Sequence, residues 1–229
     1  MSLRDKNLVP GEYYHFYNRG IGKSEIFLDY QDYDRFIKLL YLCNSEKNIN
    51  FRDLIVNNKI DAFDFERGHC LVSILGWVLM PNHFHLIVFS PRSDLGETYN
   101  PLTEFMRKVS TSYSMYFNKK YKRTGSLFEG KFKSKHIDEE NYFYYIFSYV
   151  HLNPLKLIQS DWKEKGIIDK QAAILYMKNF PYSSFQDYFS FPRKQSKIIN
   201  FEFLPEYLQS NHVDDLFEWI NIPRSDLGR

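Results

Sequence analysis

The sequence predicts an α+β fold: one antiparallel sheet with helices on one face, in a ferredoxin-like or RRM-like arrangement, followed by a C-terminal appendage. Three observations predict it. Aromatic or strongly apolar runs near residues 13–18, 70–79 and 83–89 read as strands. Residues 29–43 and 102–117 space their apolar side chains at helical intervals, and acidic residues mark the start of a further helix over 139–152. The resulting order is strand, helix, strand, strand, helix, strand, helix, which a split β-α-β topology satisfies economically.

In chain order, Tyr13-Tyr14-His15-Phe16-Tyr17-Asn18 forms the first strand, and Arg19-Gly20-Ile21-Gly22 turns the chain. Asp29 or Asp32 can cap the first helix, whose stripe is Phe36, Leu39, Leu40 and Cys43. Residues 45–68 are polar and irregular and read as an insertion. The second strand, around 70–79, is too apolar for exposure on both faces. Pro81-Asn82 signals a turn, and the chain returns from His83 to Phe89 as a hairpin. Residues 90–101 are a loop. In the next helix Leu102, Phe105, Met106, Val109, Tyr113 and Tyr116 share a face. Asp138 is placed to cap the helix over 139–152, and Asn153-Pro154 to end it. Further on, 171–178 reads as a short helix, Pro181-Tyr182-Ser183-Ser184 as a turn, and 204–208 and 214–220 as short amphipathic segments. The domain division expected is 1–160, with the insertion, and an extension over 161–229 partly packed on it.

Bulk composition narrows the function classes. With 229 residues the chain buries a real core. The net charge of +2 does not announce a nucleic-acid binder, so any such role must rest on local charge. The aromatic share of 18% is high; much of it must be core, but aromatic faces also stack unpaired bases. Two cysteines, Cys43 and Cys70, are too few for a disulfide framework, and there is no C-x-x-C. Residues 1–11 lack the apolar core of a signal peptide, and no apolar run reaches the length of a membrane span. The reading is a cytoplasmic protein with no membrane partner.

The chemistry-bearing stretch is Pro81-Asn82-His83-Phe84-His85-Leu86. Alternate residues of a strand share a face, so His83 and His85 project together while Phe84 faces the core. Two such imidazoles can hold one divalent metal with a third ligand from elsewhere. The helix over 139–152 offers Tyr149, His151 and Asn153. Tyr149 and Asn153, four apart, share a helical face, and an amide oxygen suits Mg²⁺ or Mn²⁺. Tyr149 can serve as a nucleophile with a metal polarising a phosphate, but Tyr142, Tyr144 and Tyr145 crowd the same helix, and spacing does not choose among them. Residues 118–135 are basic: Lys119, Lys120, Lys122, Arg123, Lys131, Lys133 and Lys135 alternate with Tyr121, Phe128 and Phe132, against the one acid Glu129. That pattern fits a phosphate-backbone track as well as a solvated loop face. His15, His69, His136 and His212 are isolated in sequence.

An ordered set of segments resembles the single-tyrosine HUH transposases, most closely the REP-associated tyrosine transposases and their insertion-sequence relatives. These are Tyr14-His15-Phe16-Tyr17-Asn18-Arg19-Gly20 with Ile26-Phe27, Gly76-Trp77-Val78-Leu79-Met80-Pro81-Asn82-His83-Phe84-His85-Leu86, Gly125-Ser126-Leu127-Phe128-Glu129-Gly130-Lys131-Phe132-Lys133-Ser134, Tyr149-Val150-His151-Leu152-Asn153-Pro154 and Pro181-Tyr182-Ser183-Ser184-Phe185. The resemblance spans about residues 12–188. It implies an HUH fold in which His83, His85 and Asn153 bind Mg²⁺ or Mn²⁺ and Tyr149 is the nucleophile. It also implies cleavage and rejoining of single-stranded DNA near a hairpin through a 5′-phosphotyrosine link, without ATP. Arg19 and Lys119, Lys120, Lys122, Arg123, Lys131, Lys133 and Lys135 are then the expected nucleic-acid-binding residues. A homodimer is open, since such transposases exchange the tyrosine helix between subunits. Two other readings share parts of the pattern. A non-catalytic hairpin-binding module needs only the sheet and basic track, and a small-phosphoester hydrolase only the histidines.

Overall fold

A computed structural model describes residues 8–91, 99–209 and 212–221. The first seven residues of the leading segment, the centre of the loop at 90–101 and the ends of the last segment lie outside the described residues. The core elements are β1 (Tyr13–Arg19), α1 (Tyr30–Leu42), β2 (Ser73–Met80), β3 (His83–Phe89), α2 (Pro101–Lys120), β4 (Lys133–Ile137) and α3 (Glu140–Leu152). All strand pairs are antiparallel, in the order β2-β3-β1-β4, the ferredoxin-like arrangement.

Local chemistry accounts for the helix starts. Asp29 caps α1 and Asp32 reciprocates in a capping box, so the two candidate caps act as a pair. Asn100 caps α2 ahead of Pro101, whose missing N–H is harmless in the first turn. The expectation for α3 is corrected: its N-cap is Glu139, with no side-chain cap bond, and Asp138 lies one residue too early. Asp138 instead approaches His136 Nδ1 at 3.6 Å.

Strand alternation divides the sheet into two buried faces. Phe16, Trp77, Leu79, Phe84 and Leu86 meet α1 and α2 in one apolar cluster. Phe84 stacks obliquely on Phe36 at 5.0 Å, so it packs away from its flanking histidines. The opposite face carries Val78, Met80 and Ile87 against α3, with His15, Tyr17 and His85 on the same parity. That second layer, which the strand and helix patterns did not place, is completed by α4 (Trp162–Lys165), α5 (Lys170–Asn179), α6 (Phe185–Phe189), α7 (Glu206–Gln209) and α8 (Asp215–Trp219). Leu204, Leu208, Leu216 and Phe217 join the α3 cluster. Residues 45–68 also differ from a detached insertion, because Ala62 and Phe63 are buried and Phe63 packs on Tyr41 at 5.3 Å.

The exposed edge of β2 is sealed by chain from the C-terminal half. Leu79 donates its N–H to the Tyr182 carbonyl at 2.9 Å, Ser184 to Trp77 at 2.9 Å, and Asn200 to Ile74 at 2.9 Å. This covers an edge that would otherwise invite another strand. At the other end, residues 20–27 clamp the β2–β3 turn. The Gly20 N–H reaches the Asn82 carbonyl at 2.9 Å, and those of Ile26 and Phe27 reach the Pro81 carbonyl at 2.8 and 3.1 Å.

That clamp depends on close approach at Gly20. A Cβ there would strike the Ser24 carbonyl oxygen and lie 2.9 Å from Ile26 Cγ2, whereas one at Gly22 meets nothing within 4 Å and suffers only from φ +60°. Gly20→Ala is therefore expected to lower stability by about 2 kcal/mol or more, and Gly22→Ala by about 1 kcal/mol. Urea unfolding of the two variants checks this; equal losses would mean the turn shifts without cost.

Candidate active site

The hairpin and β1 build the site between them. In the β1–β3 register Tyr17 lies opposite His85 and Arg19 opposite His83. Tyr13, His15, Tyr17 and Arg19 therefore share the parity of the two histidines. The His15 and His85 rings stack at 4.9 Å, and His15 Nε2 is 2.8 Å from His85 Nδ1. His83 Nδ1 is 2.6 Å from Asn82 Oδ1. An amide oxygen can only accept, so His83 donates from Nδ1 and its Nε2 keeps a lone pair.

His85 Nε2 is buried with no hydrogen-bond partner among the described residues. If His85 donates from Nδ1 to His15, that Nε2 is also a free lone pair. The second atom of each ring is thus tied in the way metal-ligating imidazoles are tied. Burial, then the nearby Lys156 charge, lowers the His83 pKa to about 4. Burial, then His15, holds His85 well below its usual 6.5. Burial, followed by Lys135 and Lys163, lowers His15 to about 3. All three rings are consequently neutral near neutral pH, the form that a metal requires.

Asn153 stands where α3 ends, still in the α-helical region at φ −55° and ψ −38°. Pro154 follows within a 3-10 turn, Asn153–Leu157, and the helical face of Tyr149 continues to Asn153. Asn153 is fully buried beside the His83 ring. Neither of its amide atoms completes a hydrogen bond. Among the described residues no group of three His, Cys, Asp or Glu side chains is arranged around a metal. The donor set is therefore two imidazoles and one neutral amide, with an orphaned nitrogen on His85 and an orphaned amide oxygen on Asn153 that a cation would satisfy, while the Asn153 amide N–H₂ would still need an acceptor.

Tyr149 lines the same cavity of about 290 Å³ as His83 and His85, together with Tyr17, Arg19 and Lys133. Its ring meets His85 edge-on at 5.2 Å. Its hydroxyl is 3.5 Å from Lys156 Nζ, and Lys163 Nζ lies 3.7 Å above the ring. The other α3 tyrosines go elsewhere: Tyr142 is buried under Lys135, Tyr144 bonds Glu140, and Tyr145 lies parallel to Tyr149 outside the cavity. His151, considered as a third ligand from sequence, is corrected to a core connector. It donates from Nδ1 to the Phe147 carbonyl at 2.8 Å and accepts the Ser184 hydroxyl at Nε2, 2.9 Å away.

The basic residues separate into groups. Arg19 and Lys133 line the cavity, with Lys23. Arg19 forms a bidentate pair with Glu129. Lys131 and Lys135 are exposed on and before β4. Lys119, Lys120, Lys122 and Arg123 do not line the cavity. Lys120 is held by Asp29 at 2.7 Å and Asp32 at 2.8 Å, and Arg123 lies 5.5 Å from the Phe117 ring. Sequence reasoning missed His15, Lys156 and Lys163. His15 had a usable signal in the alternation along β1, and Lys156 had one in its seven-residue step from Tyr149, past Pro154; Lys163 lies farther along at no spacing that marks it.

No family model matches this chain, and no curated protein matches it in sequence. Among solved structures it is similar to a REP-associated tyrosine transposase bound to a REP hairpin, with 16% identity, a TM-score of 0.46, and coverage of 82% of this chain and 85% of that one. It is more weakly similar to the tRNA(His) guanylyltransferase of Saccharomyces cerevisiae, at 13% identity and a TM-score of 0.29 over 88% of this chain and 84% of that one.

His151 gives a pH prediction. Burial lowers its folded pKa to about 4 from 6.5. Its neutral form therefore contributes stability above pH 6.5, and this is lost as pH falls toward 4 because the unfolded chain takes up the proton first. Urea midpoints should fall between pH 7 and pH 5, with a slope of up to about 1.4 kcal/mol per pH unit for each such group. His151→Gln should shrink that fall; an unchanged pH dependence would contradict the assignment.

Proposed function

We propose that this protein is a metal-dependent single-tyrosine HUH transposase, a strand transferase that cleaves and rejoins single-stranded DNA beside hairpins. The observation that carries the reading is the convergence of Tyr149, His83 and His85 on one cation-rich cavity, with Asn153 buried beside the His83 ring. Four separate stretches of sequence supply that cavity, and each side chain has the chemistry its role needs.

Tyr149 Oη attacks the scissile phosphorus and the bond from phosphorus to the 3′ oxygen breaks. The released strand ends in a 3′-hydroxyl, and the other strand stays joined to Tyr149 through its 5′-phosphate. Rejoining is the reverse attack by a 3′-hydroxyl, and the ester is conserved throughout, so no ATP is consumed. Lys156, 3.5 Å from the phenol oxygen, is placed to stabilise the phenolate as its proton leaves. His83, His85 and Asn153 would hold Mg²⁺ or Mn²⁺, which when bound polarises the scissile phosphate. Arg19, Lys23 and Lys133 offer cations to the flanking phosphates. The hairpin itself would be met by phosphate contacts outside the cavity, for which Lys131 and Lys135 are exposed. Tyr149 and the histidines meet within one chain, so this constellation needs no second subunit.

Two outcomes follow. With hairpin oligonucleotides bearing randomised single-stranded flanks and Mn²⁺, a 3′-end label should stay covalently on the protein and a 5′-end label should leave on a strand with a free 3′-hydroxyl. Tyr149→Phe should abolish the adduct while hairpin affinity changes less than about threefold. Adducts persisting in that variant, or a label retained from the 5′ side, would overturn the assignment. Binding with no adduct in the wild type would favour the non-catalytic module. Calorimetric titration with Mn²⁺ should show one site. His85→Ala should remove it, and His15→Ala should weaken it by about 10- to 100-fold through lost ring orientation. Undiminished Mn²⁺ binding by His85→Ala would exclude the site.

A further inference from the structure

A second cavity, of about 310 Å³, adjoins the first on the far side of the Tyr145–Tyr149 pair. We propose that it receives an unpaired nucleobase of the strand whose backbone lies at Tyr149. The inference rests on the strand-transferase reading and extends it to how the substrate strand is held.

The walls are aromatic and cationic. Tyr145, Trp162 and Phe217 line it, with Ile167 and two lysines, Lys163 and Lys170; no acidic side chain is among its lining residues, but Asp214 pairs with Lys170 at 2.7 Å, so a phosphate there would compete with that exposed ion pair. Aromatic faces stack bases of any sequence, and lysines meet the phosphates between them. Tyr145 is half-buried, whereas Trp162 and Phe217 are buried, at 2% and 8% relative exposure.

Continuity with the reaction site comes from two residues. Tyr145 lines this cavity and lies parallel to Tyr149, with ring centres 6.2 Å apart and planes within 2°. Lys163 lines it as well and places its ammonium 3.7 Å above the Tyr149 ring and 5.7 Å from the Trp162 ring. One lysine thus spans the wall between the reacting phenol and the aromatic chamber. A strand with its phosphate at Tyr149 can turn the adjacent base over Tyr145 into the chamber, with Lys163 at the phosphate between.

The test uses the full chain in EDTA, so that binding is read without cleavage. The probe is single-stranded dT12, labelled for anisotropy or substituted with photoreactive 4-thiothymidine. Cross-links are expected on peptides containing Tyr145, Trp162 or Phe217. Ile167→Trp, which fills the chamber, should weaken dT12 binding about tenfold, the worth of one stacked base. Lys170→Glu should weaken it and flatten its salt dependence. Circular dichroism and thermal unfolding of both variants verify the fold, and Lys170 is exposed enough to be replaced without repacking. Cross-links confined to other surfaces, or affinities within twofold of wild type for both variants, would overturn the proposal. Adducts in the separate Mn²⁺ hairpin assay together with cross-links elsewhere in EDTA would remove the chamber and leave the transferase. Chamber cross-links in EDTA with no Tyr149 adduct in the Mn²⁺ assay would do the opposite.

Discussion

The contact between His15 on β1 and His85 on β3 is the constraint on which the site depends. It exists because the two strands are antiparallel neighbours in the middle of the sheet, with Tyr17 opposite His85. A shift of one residue in either strand would turn that strand's histidines to the other face, bringing Tyr14 or Phe16 to the place of His15, or Phe84 or Leu86 to that of His85. The core prevents such a shift, since Phe16, Phe84 and Leu86 are all fully buried against the helices of the opposite layer. The packing that stabilises the sheet on one face therefore fixes the chemistry on the other.

The second layer converts that register into a site. In a sheet covered on one face only, the histidines would be solvated and ordinary in their proton affinity. Here α3 crosses above them and buries His15 and His85 to 6% exposure. Burial makes the protonated forms unfavourable, and the lysines around the cavity push in the same direction. The result is a pair of neutral nitrogen donors amid positive charge; the lysines oppose a cation and favour the phosphates that, in the proposed reaction, would arrive with it. A net charge of +2 is compatible with the proposed phosphate-binding role because Arg19, Lys23 and Lys133 gather at one cavity, although Arg19 is paired there with Glu129.

Much of this was legible in the sequence because strand periodicity is a local signal. The H-x-H spacing gave the shared face of His83 and His85, and the four-residue step gave that of Tyr149 and Asn153. The strand order follows from element order and the economy of a single sheet. What could not be read was any relation created by non-local packing. Nothing near His15 in the chain marks it as the partner of His85. Nothing in the run 118–135 separates Lys133, in the cavity, from Lys120, held in a carboxylate pair with Asp29 and Asp32. His151 is a candidate ligand by residue type, but it lies two residues from Tyr149 and from Asn153, off their shared helical face, and a serine 33 residues later claims its free nitrogen. The docking of the C-terminal half along β2 is likewise invisible to periodicity, because isolated bridges carry no repeating pattern.

In the proposed site His83 and His85 are held by their Nδ1 hydrogens, so that both Nε2 lone pairs are free at one cavity. Nitrogen NMR of isotope-labelled histidine reads this directly at neutral pH. Both rings should be neutral and protonated at Nδ1, and sub-stoichiometric Mn²⁺ should broaden their Nε2 signals before those of any other histidine. A proton on Nε2 of His85, or broadening that begins at a different ring, would contradict it.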